Sequence, residues 1–237
     1  MQLRFCLFFV IGLLVMAPLA AQEVVIHEDL QGDTLVPEYG MNRKHYRHTF
    51  VGSHFFLGEA EGPSGKIKYG ASWALEYGIR YKRRFSNVLS GGAEWSIRRL
   101  AYAPSDWGMA VIVGEDELKR ERLMLMQTGI GLYQRINYQK RRGDFIGRFI
   151  DFGVYANWNF VTRHAYSFKN AQDEKVKVKV SRLSYVEPFE YGALARLGFN
   201  NLVFKGTYRF SDHFSESSGL DEFPRFTLGV EVGLHPK

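Results

Sequence analysis

From Arg47 to the end of the chain, apolar side chains recur at every second position. Phe226, Leu228, Val230, Val232 and Leu234 alternate with Arg225, Thr227, Gly229, Glu231 and Gly233. Tyr69, Ala71, Trp73, Leu75, Tyr77, Ile79 and Tyr81 interleave with Gly70, Ser72, Ala74, Glu76, Gly78, Arg80 and Lys82. Phe152, Val154, Ala156, Trp158 and Phe160 interleave with Asp151, Gly153, Tyr155, Asn157 and Asn159. Weaker versions run through 48–58, 88–101, 121–138, 187–199 and 202–210. A period of two is that of a strand with unlike faces, so this pattern predicts about eight strands and no helix.

The connections alternate in length. Long ones are expected near Glu59–Gly65, Ala103–Leu118, Arg163–Lys175 and Ser211–Glu222, and short ones at Ser86-Asn87, Lys140–Gly143 and Asn200-Asn201. In an up-and-down meander every second connection emerges at the same end. Long loops at one end and tight turns at the other are the asymmetry of an outer-membrane barrel, with its turns in the periplasm.

Alternation also fits a water-soluble sandwich or a lipocalin-like barrel with its apolar face inward. The polar face bears on the choice. It carries Glu76, Glu94, Asp151, Glu190 and Glu231 beside Arg80, Arg98, Arg135, Arg196, Lys205, Arg209 and Arg225. An eight-stranded barrel encloses only enough room for side chains, and charges enclosed there must pair. The near-balance of signs predicts an interior ion network. The apolar face is rich in Trp73, Trp95, Trp158, Phe160, Tyr138, Tyr69 and Tyr81, several near strand ends, where such rings sit at headgroup depth. The expected fold is all-β: an eight-stranded antiparallel up-and-down transmembrane β-barrel over residues 47–237.

What precedes the strands reads as an address. Arg4, an apolar run from Phe5 to Ala17 and the small residues ending at Ala21 make Met1–Ala21 a secretory signal peptide, cleaved after Ala21. The run is too short to anchor the chain as a helix. The only cysteine, Cys6, lies within it, so the mature chain forms no disulfide. Residues 22–46 form a polar periplasmic lead-in. Of the 237 residues 15% are aromatic, and the formal net charge is +6. A surplus that small does not point to nucleic acid.

Leu220 to Leu234, reading LDEFPRFTLGVEVGL, resembles the closing strand of the Bacteroidota outer-membrane β-barrel domain proteins (PorT-like families). Residues 47–235 are similar to their eight-stranded organisation, the kind also found in OmpA- and OmpX-type barrels. The resemblance implies insertion through the barrel assembly machinery into the outer membrane of a Gram-negative bacterium. Many such barrels end in an aromatic residue, whereas this chain ends Leu234-His235-Pro236-Lys237.

Motifs of catalysis and cofactor binding are missing: no Walker loop, no dinucleotide glycine fingerprint, no His-Glu-x-x-His and no Gly-x-Ser-x-Gly. The best catalytic ingredients are Ser211, Asp212, His213, Ser215 and Glu216, which would suit a lipid A-modifying enzyme. Ser53 and His54 are adjacent in a strand and face opposite sides. His45 and His48 lack a companion carboxylate at ligand spacing. Lys175, Lys177 and Lys179 read as a solvated extracellular strand extension able to meet lipopolysaccharide phosphates, while Lys82-Arg83-Arg84 and Lys140-Arg141-Arg142 flank periplasmic turns. The expectation is a monomeric, non-enzymatic barrel with no cofactor and no metal. Outer-membrane lipids and lipopolysaccharide surround it, and its role is structural or in surface interaction. A small-solute pore and a lipid A-modifying enzyme are the alternatives.

Overall fold

The computed structural model describes residues 40–62, 65–105, 118–139, 143–169 and 174–235. The expected signal peptide and most of the lead-in lie outside them. Nine strands follow one another: β1 (His45–Leu57), β2 (Trp73–Arg84), β3 (Leu89–Tyr102), β4 (Leu118–Asn137), β5 (Arg148–Lys169), β6 (Lys175–Ser181), β7 (Phe189–Phe199), β8 (Leu202–Arg209) and β9 (Phe226–Leu234). Eight of them close a ring. Each pairs antiparallel with the next, β5 pairs with β7 past the short β6, and β9 returns to β1 from Thr49↔Leu234 to Leu57↔Phe226. Closure leaves the ring without an unpaired edge, the condition for a sheet in lipid.

Turn chemistry sets the tight ends. Asn200 takes the left-handed conformation (φ 60°) that a two-residue hairpin demands. The Ser86 side chain accepts hydrogen bonds from the Val88 and Leu89 N–H groups, which turns β2 into β3. Gly198 faces the ring of Phe149, which lies where a Cβ would be.

The faces are arranged as the alternation requires. Arg80, Arg135 and Arg196 are among the largest fully buried side chains, whereas Ile130, Leu132, Phe152, Trp158, Phe189 and Val230 are exposed. Phe189, at 66% exposure, and Ile130, at 61%, look outward while Glu231 and Asp151, at 0%, look in. In water this would be inside out, since soluble chains rarely bury Arg or expose apolar surface on this scale. Lipid makes it the stable arrangement, and the fold is a transmembrane barrel. Phe189 and Phe199 lie near opposite ends of β7. Ten residues of strand tilted by about 40° rise about 25 Å, the height of a barrel's apolar band.

Three features depart from the expected organisation. The segment Arg163–Lys175 is not simply a loop. β5 runs to Lys169, and β6 folds back on it from Arg163↔Ser181 to Lys169↔Lys175, making a ninth strand beyond the barrel. A helical turn at Tyr69–Ala71 delays β2 to Trp73. The lead-in ends in contact with the barrel: Asn42 N–H donates to Asp144 O (2.9 Å), Lys82 Nζ to Met41 O (2.6 Å), and β1 begins at His45.

Inside, three layers stack along the axis. Tyr46, Ile146, Phe149 and Val203, with Met41 against them, close the short-turn end. Charged residues fill the middle. A second apolar cluster, including Phe56, Leu100, Tyr102, Leu123, Phe214 and Phe223, closes the long-loop end.

Candidate functional site

The middle layer contains most of the residues expected from the polar face. Arg80 donates from Nε to Glu94 Oε2 (3.0 Å) and from Nη2 to Glu231 Oε2 (2.7 Å). Arg135 grips Asp151 with two parallel bonds of 2.7 and 2.9 Å, and its guanidinium lies 3.4 Å from the centre of the Phe149 ring. Arg196 joins Glu94 to Asp151. Lys205 Nζ stands 2.9 Å from both Glu76 oxygens and 3.1 Å from Glu231 Oε1. Arg98 reaches Glu190 (3.5 Å), whose other oxygen accepts from Gln127 Nε2 (2.8 Å). Arg209 donates to Glu222 Oε2 (2.8 Å) and to the Ser211 and Phe223 carbonyls. Each buried acid therefore faces at least one base, as enclosed charge requires.

Arg225 does not belong to this network. It has the parity of Thr227 and Glu231, but it precedes β9 and follows Pro224, so its side chain leaves the barrel. At the rim it pairs with Glu61 (2.8 Å) and Asp212 (2.6 Å). The sequence reading missed Gln127, Asn157, His54 and Glu222. The first three share inward parity with charged neighbours, which was a usable signal. Glu222 sits in a loop and carried none.

The cavities left between these side chains are small. Two spaces of about 10 Å³ each adjoin Glu76, Arg98 and Tyr155 in one case and Arg98, Glu190 and Arg209 in the other. Each has room for about one water molecule. Apolar clusters lie above and below them.

The catalytic ingredients of the fourth long loop are not brought together. His213 is buried, edge-on to Tyr102, and its backbone N–H donates to Glu222. Burial, with Arg209, Arg98 and Arg225 nearby, holds its imidazole well below the usual histidine range, so it is neutral. Ser211 Oγ accepts from Tyr191 N–H, Ser215 Oγ bonds Ser217 Oγ, and Asp212 turns to Arg225. His54, Glu76 and Glu231 place possible ligand atoms within 4.8 Å of one another. Lys205 Nζ already lies within 3.1 Å of both carboxylates, and a second cation there would meet it head-on. His45 turns outward to Tyr81, away from His48 inside.

One polar feature stands outside the barrel. Beyond Trp158 and Phe160, the outer halves of β4 and β5 and the whole of β6 form a projecting three-stranded sheet. Arg120, Arg122, Lys175, Lys177 and Lys179 on it are exposed. With Lys68, Ala103, Pro104, Glu121 and Tyr166 they line a groove of about 560 Å³.

No protein-family model and no curated protein matches the chain, so the resemblance to the PorT-like barrels rests on residues 220–234 and the barrel's organisation alone. Among solved structures it is similar to Ail, the attachment invasion locus protein of Yersinia pestis, crystallised with the heparin analogue sucrose octasulfate. The identity is 9%, the TM-score 0.37, and the match covers 81% of this chain and 97% of that one. The fold described above stands on its own strand pairing.

Proposed function

We propose that this chain is an outer-membrane barrel of a Gram-negative bacterium, exported by the leader Met1–Ala21, inserted by the barrel assembly machinery and acting as a monomer through its long-loop end. The observation that carries this reading is the contrast between the two ends and the middle. The apolar exterior suits lipid, and the interior is filled by ion pairs between two apolar caps. What is left for interaction is the surface above the aromatic rings, where an ordered sheet extends well past the bilayer. Outer-leaflet lipids and lipopolysaccharide would surround the barrel, with exposed Arg163 and Arg182 nearer to them than the rest of the sheet. The role is structural or in surface interaction, without catalysis: the hydroxyls near His213 are engaged elsewhere.

The experiment is fractionation of cells carrying the full chain, followed by electrophoresis with and without heating and by protease treatment of intact cells. The expected result is an outer-membrane protein whose unheated form migrates faster, cleaved from outside only in the long loops or β6. A protein in the soluble fraction, or cleavage at the 138–147 turn from outside, would remove the proposal.

A further inference from the structure

The two faces of the projecting sheet are chemically different, and the register shows how. Arg122, Ala165 and Lys179 lie in one cross-strand row, and Arg120, Ser167 and Lys177 lie in the next. Directly opposed residues on neighbouring strands point to the same face. Both rows therefore share a face, with short side chains on the central strand and long cations on either side. The other face carries Glu121, His164 and Tyr166, and there Glu121 is bound to His164 Nε2 (2.8 Å). The outcome is a trough with a floor of Ala165 and Ser167 and walls about 10 Å apart, two strand spacings.

Two further observations point to a ligand. At the rim Arg225 is matched by Glu61 and Asp212, but among the described residues no carboxylate pairs with Arg120, Arg122, Lys175, Lys177 or Lys179. In the floor, Ser167 is 5% exposed, yet its Oγ has no hydrogen-bond partner. A buried hydroxyl without a partner costs about 1–3 kcal/mol, so such groups are rarely left idle.

We infer that this trough binds a single extended chain of acidic polysaccharide, its carboxylate or sulfate groups held by the two cationic rows and one of its oxygens held by Ser167. The inference rests on the proposed function for its topology, which makes this face extracellular. Rows on one strand face repeat at about 7 Å, which suits anionic groups repeated along a polymer. The trough admits one chain and not a duplex, and Tyr166, the aromatic residue in the groove's lining, belongs by parity to the opposite face, so the cationic rows offer nucleic-acid bases no ring to stack on. Ala165 stands five residues beyond Phe160, about 13 Å higher at a 40° tilt. That exceeds the Debye length of about 8 Å, so phosphates in the lipid headgroup layer are too far below to satisfy these cations.

The test uses the full chain folded in detergent or in nanodiscs and titrates it with oligogalacturonates of defined length, inorganic phosphate and phosphatidylglycerol vesicles. Oligogalacturonate should bind, at least tenfold tighter as a hexamer than as a dimer, and added salt should weaken it steeply. Arg120→Gln with Lys177→Gln, and Arg122→Gln with Lys179→Gln, should each weaken hexamer binding at least tenfold. Ser167→Val should weaken it several-fold with the salt dependence unchanged, and Arg83→Gln with Arg84→Gln at the opposite end should change nothing. Heat-modifiable migration of each variant separates lost binding from lost folding. Row variants that bind like the parent, affinity independent of length, or preference for the vesicles would overturn the inference. In those cases a heat-modifiable membrane protein leaves the proposed function standing, whereas an unmodified chain that fails to fractionate with the membrane defeats that reading instead.

Discussion

Arg135 shows what keeps charge inside this barrel. Its guanidinium is 1% exposed, bonded twice to Asp151 and laid on Phe149, so its cost of leaving water is offset by one carboxylate and one ring. Asp151→Asn keeps the shape and removes the charge, which should destabilise the barrel by about 3–5 kcal/mol, read as a lower temperature for loss of the fast-migrating form. Arg135→Met combined with Asp151→Leu should recover most of it, because Arg196, the other partner of Asp151, keeps Glu94. His213 predicts a pH effect. Its folded value lies below the unfolded value of about 6.5, so the unfolded loop binds more protons in acid. The contribution is complete above that value and is lost as pH falls through it, by up to about 2 kcal/mol at pH 5. Hydrogen-exchange protection of residues 211–225, measured against the intrinsic exchange rate at each pH, should fall between pH 7.5 and 5, and His213→Phe should flatten the change. At this scale, parity in the sequence separated inside from outside well. It misjudged Arg225 because parity carries information only while the strand lasts, and Pro224 lies between that residue and the loop.

Elements were legible where both faces were simple. β2, β5 up to Phe160, and β9 each carry an apolar face against a polar one, and their inner and outer sets match the pairing. The outer half of β5 carries no strand signal in the sequence because neither of its faces is purely apolar: Tyr166 and His164 share one and Ala165 and Ser167 the other. That stretch borders no lipid, so nothing required a greasy stripe. The strand is shown instead by its partners, and a single sequence does not reveal pairing. The bulge between Met126 and Gln127, where Val161 and Asn159 bracket Phe160, was equally invisible. The hairpin Asn200-Asn201 was visible because a left-handed φ has few suitable residues. Asn200→Val should therefore cost about 1–2 kcal/mol, lowering refolding yield in detergent, while Asn200→Gly should refold like the parent.

For the molecule as a whole, the outside is solved by lipid, and what remains is how the inside is closed. Three barriers are stacked on one axis: an apolar cap at each end and the ion network between them. Phe56, Tyr102, Phe214 and Phe223 form the upper cap, and the ion network fills the layer beneath it, down to Tyr46 and Phe149. A hydrated ion crossing the barrel would have to part an apolar plug and then displace a guanidinium from a carboxylate in a layer whose vacancies hold about one water each. The full chain in planar bilayers should therefore show no discrete conductance steps. Removing only the upper cap, by replacing Phe214 and Phe223 with Ser, should leave it silent, because Arg80, Arg98, Arg196 and Lys205 still bridge the lumen. Replacing Glu94, Glu231, Arg80 and Arg196 together with Ser in that background should open a path once Tyr46 and Phe149 of the lower cap are replaced by Ser as well, and not before. Steps in the unmodified chain would show that the pairs part readily, and the reading of the interior as a plug would then fail.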